Sequence, residues 1–481
     1  MSDGVKSRPG ATPRHVVVVG GGISGLAAAW FLHRDGPPGL TVTVLEGGPQ
    51  IGGKLRVSEV GGVPVDEGAE SLLLRRPEAI DLATAVGLGD DLEDAATTKA
   101  AIWSRGEMRA IPAGTVMGIP VDLRALARTG LLSARELARV PADSWLPGAR
   151  LAGDVAVGKY VARRMGRAVV ERLVEPLLGG VYAGRADQLS LDATLPSLAA
   201  PARRHRSLLA AAREARSNGS GTGGAVFAAP RGGLGRLPAA VARASAATVR
   251  TNATVRELTQ TPSGWAVTVG STRDPERIEA DAVILAVPPA AAARLLRDPV
   301  PAAGAELSVV RSASMAVVTL AFPDTAFRVP PQGSGFLVPP ADGRVVKAAT
   351  FSSTKWRWYA DAAPATVVVR LSVGRIDEEA DLQRDDLDLV EVALADLSDA
   401  IGVTDPPVDA RVSRWGGGMP QYAVGHVGRV ERVRAAVAAH PGLAVCGAVY
   451  DGIGIPACIA SAESASAQLL RQWVRDAPCI S

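Results

Sequence analysis

The chain has 481 residues, 47% of them hydrophobic and 21% charged, an ordinary globular composition that excludes a mini-protein or a disordered chain and suggests two or three domains at about 150 residues each. Lys and Arg (52) against Asp and Glu (49) leave a formal charge of +3, too nearly balanced for a polyelectrolyte-binding surface, so nucleic acid is not an expected partner. Three cysteines (Cys446, Cys458, Cys479) form no CxxC pair and five histidines show no HxxxH spacing, which argues against a disulfide framework and a metal site and fits a reducing cytoplasm.

Along the chain, Lys6, Arg8 and Arg14 precede an apolar run from Val16 to Leu32 that mimics a secretory signal. Gly20, Gly21, Gly22 and Gly25 interrupt it, so strand, turn and helix is the better reading. No other stretch offers about 20 uninterrupted apolar residues, and no transmembrane helix is expected. His15–Val19 is β-branched without polar alternation, as a strand buried on both faces of a parallel sheet requires. GxGxxG follows at Gly20, Gly22 and Gly25, and Leu26 to His33 supplies helix formers. A pyrophosphate suits such a turn, because the helix N-terminus presents free N–H groups and a partial positive charge. A second strand, Thr41–Leu45, ends in Glu46, about 20 residues beyond the glycines, where a carboxylate accepts hydrogen bonds from a ribose. Together these predict a Rossmann-like dinucleotide site.

Beyond Glu46 come Ile51-Gly-Gly-Lys-Leu-Arg56, a Gly61-Gly62 turn and Val65-Asp-Glu-Gly-Ala-Glu-Ser71. This resembles the extended N-terminal signature of the FAD-dependent amine oxidase and porphyrinogen oxidase superfamily, in which both segments wrap the flavin; simple nicotinamide dehydrogenases lack it. Helical signals dominate from Pro77 to about Ala212, with capping-box spacing at Ser133 and Glu136 and helical periodicity from Asp154 to Leu178. The run Ser217 to Gly224 reads as a mobile loop. Strands are then expected at Thr251–Val255, Trp265–Val269, Asp281–Val287, Met315–Phe322, Thr366–Val369 and Ala410–Ser413. Leu443–Ala448, the glycine turn at Gly452 to Pro456 and a helix from Ile459 to Leu470 return the chain to the cofactor.

Several separated motifs are similar to the porphyrinogen oxidases of haem biosynthesis: Glu175-Pro-Leu-Leu-Gly-Gly-Val-Tyr-Ala-Gly184, His205-Arg-Ser-Leu208, Gly232-Gly-Leu-Gly-Arg-Leu-Pro238, Arg414-Trp415 with Met419-Pro-Gln-Tyr422, and Tyr450-Asp-Gly-Ile-Gly-Ile-Pro-Ala-Cys458. Met117-Gly-Ile-Pro120, Lys347 to Ser352 and Lys355-Trp356 resemble the Gram-positive branch. The resemblance implies an amine oxidase-like fold of mixed α/β and α+β class: a Rossmann-like FAD domain (1–76, 226–292, 413–481) interleaved with a helical insert on the substrate or membrane side (77–225) and a mixed-sheet substrate domain (293–412). It further implies FAD, O2 as acceptor, oxidation of coproporphyrinogen III to coproporphyrin III (or of protoporphyrinogen IX in other branches), a cytoplasmic setting and handover of product to a ferrochelatase. Peripheral membrane contact and oligomeric state stay open.

Carried over by motif, the FAD contacts implied are Gly20, Gly21, Gly22, Ile23, Ser24, Gly25, Glu46, Gly47, Gly53, Lys54, Gly68, Ala69, Glu70, Ser71, Val255 at the end of its strand, Trp415, Ala448, Ile453, Gly454 and Ile455. Gly335 and Leu337 align with the segment that sandwiches the tetrapyrrole. Where some relatives place an arginine against a propionate, this chain has Lys99-Ala100, so Arg75, Arg76, Lys99, Arg185 and Lys347 are the cations to weigh for the carboxylates. No side chain is assigned as catalytic, because flavin performs the redox step. Cys446 and Cys458 read as small buried hydrophobes and His426 as a satisfied structural histidine. Two rivals share the fold: an amine oxidase, whose substrate is usually clamped by an aromatic cage and which is disfavoured by the low 4% of aromatic residues, and a flavin-free protein that binds prenylated GTPases, which would purify colourless.

Overall fold

The computed structural model describes residues 14–146, 151–218 and 225–475; most of the run expected to be a mobile loop, and Cys479, lie outside the described residues. In chain order, the elements that build the site are β1 (His15–Val19), α1 (Ile23–Asp35), β2 (Thr41–Leu45), β3 (Ala100–Ser104), β4 (Glu107–Ala110), α2 (Glu175–Tyr182), β5 (Thr248–Arg250) and β6 (Val255–Thr261). They continue with β7 (Ala282–Leu285), β8 (Ser312–Pro323), β9 (Gly335–Leu337), β10 (Val346–Phe351), β11 (Thr366–Val373), β12 (Asp409–Pro420), β13 (Leu443–Val445) and α3 (Ile455–Arg475).

Five strands form a parallel sheet in the order β5-β2-β1-β7-β13, with Val17 opposite Thr43 on one side and Val283 on the other. Val16 and Val18 face a core that holds Leu26, Leu32 and Ile459, while Val17 and Val19 face a second core with Trp265, Leu296 and Val433. A strand covered on both faces has no use for alternation, and each buried valine contributes about 1.5–3 kcal/mol relative to exposure. At the end of β1 the backbone of Gly20 turns with φ +111°. A Cβ on Gly25 would lie 1.9 Å from the Gly20 carbonyl oxygen, so α1 can start against β1 only with glycine there.

The second sheet has seven strands in the order β12-β8-β11-β10-β9-β3-β4; its pairs are antiparallel except β9 with β3. β3 and β4 are strands within the segment from Pro77 to about Ala212, where helical signals dominate the sequence and no strand is expected. Ile102 and Trp103 are buried in this sheet, and Arg105 (φ 56°) and Gly106 (φ 77°) make the two-residue hairpin turn. Such a turn needs positive φ at both positions, and an arginine at the first gives no local hint of it. Leu92–Asp94 is a further strand there, and helices follow as expected: Ser133 and Glu136 complete a capping box on helix Ala134–Arg139, and Val157–Met165 packs into a core with Leu178 and Tyr422. Val255 begins β6 rather than ending a strand, because Thr251 to Thr254 bridge β5 and β6 with Asn252 at φ 53°. Among the described residues, no helix is long and apolar enough to cross a membrane.

Candidate active site

A cavity of about 750 Å³ lies between the two sheets, toward the upper end of the roughly 300–1,000 Å³ that small-molecule sites occupy. It starts at the C-terminal end of β1, runs past the N-terminus of α1 and the loops after β2, and ends against Gly180, Val181 and Met419. Every residue expected at the cofactor lines it except Gly21 and Gly25. Those two lie one layer behind: the Gly21 N–H donates to Glu46 Oε2 at 2.7 Å, and Gly25 packs on Gly20. Glu46 Oε1 also accepts from the Gly48 N–H at 2.7 Å, which fixes the carboxylate at the cavity wall with lone pairs to spare for hydroxyl donors.

Gly22 opens onto the cavity, where a Cβ would come no nearer to another residue than 4.0 Å, at Gly53 Cα. That gap lets a phosphate approach the backbone N–H groups at the start of α1. Lys54 lines the same wall, and burial pushes its ammonium below the usual lysine range. At the far end the Trp415 indole N–H donates to the Glu67 carbonyl at 3.0 Å, and Arg56 lies 4.8 Å over its ring.

Polar groups behind the walls hold the lining backbone in place. Tyr422 donates its hydroxyl to the Ala448 carbonyl, His426 Nε2 donates to the Val449 carbonyl at 2.8 Å, and the two rings stack at 4.1 Å. Burial lowers the His426 pKa, which keeps the ring a neutral donor. Glu70, Lys355 and Arg370 form a buried triad whose Arg370 also donates to the Gly68 carbonyl. Burial opposes the charge on Glu70, yet Lys355 and Arg370 hold its carboxyl down to about 2. Asp66 nearby is pushed up to about 7 by burial, with Arg370 working against the shift. Burial also raises the thiols of Cys446 and Cys458, so neither is a thiolate at neutral pH and both pack as apolar groups.

The residues singled out for substrate sit elsewhere, and none of them lines the cavity. Lys99 and Arg75 are exposed. Gly335 is buried in β9 against the Ala349 carbonyl, and Leu337 stands 3.5 Å behind the position a Cβ on Gly180 would take. Lys347 and Arg185 lie beyond Leu337, with Lys347 Nζ on the Gly374 carbonyl at 2.8 Å and Arg185 on Glu378 at 2.7 Å. Arg294, Met315, Gly417 and Gly418 line the cavity although no motif pointed to them, the glycine run after Trp415 being the one local signal, and Met419 and Pro420 of the motif that follows Trp415 line it as well. Among the described residues no His, Cys, Asp and Glu cluster is built to hold a metal.

A family model for flavin containing amine oxidoreductases matches residues 23–470. The chain belongs to that family. Its members carry flavin, and the residues present fit one: an open glycine wall at a helix N-terminus, a carboxylate held for hydroxyls and a long cavity between two sheets. The chain is 41% identical to the coproporphyrinogen III oxidase of Mycobacterium tuberculosis (strain ATCC 25618 / H37Rv) over 459 residues, 94% of this chain and 97% of that one. It is 33% identical to the coproporphyrinogen III oxidase of Bacillus subtilis (strain 168) over 484 residues, covering 98% and 99%. A solved structure from Exiguobacterium sp. 255-15, described provisionally as a protoporphyrinogen oxidase, superposes with a TM-score of 0.84 at 33% identity and covers 96% of this chain and 100% of that one. Putrescine oxidase bound to putrescine superposes at 0.67 with 17% identity, covering 95% and 99%, a likeness of fold alone.

Proposed function

We propose that this flavin oxidoreductase uses FAD and O2 to oxidise coproporphyrinogen III to coproporphyrin III. Full-length similarity to coproporphyrinogen III oxidases at up to 41% identity carries the reading, joined to a cavity long enough for a dinucleotide and bounded at its far end by the substrate-side sheet. FAD, rather than a mononucleotide, agrees with Glu46 and Val255 lining one end and Trp415 and Ile453 the other. The cofactor, when bound, accepts a hydride equivalent from an sp³ bridge of the substrate. Three such removals take six electrons and six hydrogens, and three O2 become three H2O2.

The chain's own part is to bind and orient. Backbone N–H groups at Gly22 and Ser24 and the α1 N-terminus would take the diphosphate, and the Glu46 carboxylate the ribose hydroxyls. Tyr422 and His426 hold the Ala448 and Val449 carbonyls, which fixes the lining backbone before substrate enters. Apolar walls at Val181, Met315, Met419 and Ile453 exclude water from the reacting bridge. No lining side chain is placed as a general base. Protoporphyrinogen IX is the second reading, supported by the description of the Exiguobacterium structure.

The test is to purify the protein, record its flavin spectrum, supply each porphyrinogen anaerobically and admit O2 while porphyrin fluorescence is followed. A yellow protein with the larger kcat/KM for coproporphyrinogen III is expected. Preference for protoporphyrinogen IX would move the assignment to the second reading, and a colourless protein inert with both would end it.

A further inference from the structure

Behind the Gly180 end of the cavity, cations from three separate segments gather near one carboxylate, Glu378, which two arginines bond and whose charge acts on a lysine. Arg185 Nη2 donates to Glu378 Oε1 at 2.7 Å and Arg375 Nη1 to Glu378 Oε2 at 3.3 Å. Lys347, 4% exposed, has a hydrogen bond from Nζ to the Gly374 carbonyl at 2.8 Å, and an ammonium carries three donors. Of the other carboxylates close by, Asp377 is already engaged by Arg311, and Glu175 is buried with its oxygen on the Ala186 N–H at 2.9 Å, where burial raises its pKa. Positive charge is therefore in surplus, and a buried surplus is costly unless an anion completes it.

The same groups tie together the backbone that closes the cavity. Arg375 Nη2 donates to the Val338 carbonyl at 3.2 Å, one residue beyond Leu337, which packs against Gly180. The Ile376 N–H donates to the Ala183 carbonyl at 2.8 Å, two residues beyond Val181 in the lining. Arg185 and Glu378 are 35% and 37% exposed, so a polar group can reach the cluster from the surface side as well.

We infer that Arg185, Lys347 and Arg375 form a carboxylate-recognition cluster that makes the enzyme prefer a tetrapyrrole with four propionates over one with two. The inference rests on the tetrapyrrole reading above and deepens it. A substrate carboxylate would take up the free donors of Lys347 and share or displace Glu378 on the two guanidinium groups, as planar forks do with carboxylates. Burial pushes the Lys347 ammonium down to about 7, with Arg375 adding to the shift and Glu378 opposing it, the environment of a cation short of anions. A substrate with vinyl groups in place of two propionates would leave these donors unpaired.

Binding of the stable products coproporphyrin III and protoporphyrin IX, followed by fluorescence quenching of the flavin-loaded protein, tests this in wild type, Lys347→Met and Arg185→Gln. Truncating one partner of a buried charge pair is expected to raise the coproporphyrin Kd about tenfold or more for Lys347→Met. Arg185→Gln should raise it less, and protoporphyrin should move under about threefold in both. Arg185 is partly exposed, so its variant decides the matter should Lys347→Met fail to fold. Loss of affinity for both porphyrins alike, or for neither, would overturn the cluster while leaving the activity intact. Wild type that neither binds nor oxidises a tetrapyrrole would overturn the proposed function as well.

Discussion

The two ends of the cavity are built from opposite materials. At the β1–α1 end the working groups are backbone N–H donors and one carboxylate, positioned by glycines whose missing Cβ atoms leave the room. Behind the β9–β11 end they are long charged side chains, Lys347 of β10, Arg370 of β11, Arg375 just after β11 and Arg185 just after α2, none of which lines the cavity itself. A site made of backbone is specified locally and pays little for its geometry, whereas a site made of buried charge is specified only by the assembled sheet and holds strain in its electrostatics.

Each end can be broken separately. Gly25→Val would force a Cβ into the Gly20 carbonyl at 1.9 Å; overpacking against backbone costs about 3 kcal/mol, and the protein is expected to purify without flavin, read as loss of the absorbance near the visible flavin band. Glu70→Gln leaves Lys355 and Arg370 facing each other without their anion, at a cost of about 3–5 kcal/mol, and denaturant unfolding should show it. Acid gives the same answer in wild type. The Glu70 pKa is depressed to about 2 in the fold from the 4.5 of an unperturbed glutamate, so its contribution is present above pH 4.5 and is lost as pH falls toward 2.

The third variant acts in the other direction. Lys347 has a folded pKa of about 7 against the 10.5 of an unperturbed lysine, so between these values the unfolded chain binds more protons and stability rises with pH. Lys347→Met should therefore stabilise the protein near pH 6, by on the order of 3 kcal/mol, with little change near pH 10.5, seen as a thermal midpoint that loses its pH slope between 7 and 10. A gain of stability together with weaker coproporphyrin binding would sharpen the contrast between the two ends. Smallest is Tyr422→Phe, which frees the Ala448 carbonyl and should cost about 1 kcal/mol, with a perturbed flavin spectrum as its marker.

The same contrast explains how much the sequence discloses. GxGxxG, the β-branched strands around it and Glu46 belong to a run short enough to read in one glance, and nearly all the lining residues expected there face the cavity. Arg375 and Arg294 carry no such signal, because what matters about them is which carbonyls and carboxylates the distant strands bring near. The strands at Ala100–Ser104 and Glu107–Ala110 were hidden for a related reason: the first enters the sheet through a distant parallel partner, Gly335–Leu337, the second joins only through the first, and their turn uses an arginine at positive φ. Glu70 was legible as a lining residue but not as the anion of a triad, since its partners, Lys355 at the end of a short helix and Arg370 in β11, lie 285 and 300 residues further along the chain.

One consequence of the interleaving concerns time rather than space. β1 pairs with β7 at Ala282–Leu285, and Gly20 shares a cavity with Gly447 and Ile455, so neither the central sheet nor the cofactor chamber can be completed on a partly synthesised chain. At about 5–20 residues per second, the glycine turn emerges tens of seconds before the segment that closes over its ligand. A complete flavin chamber is thus a late event in the life of each molecule, since Gly447 and Ile455 are among the last of its lining residues to be made.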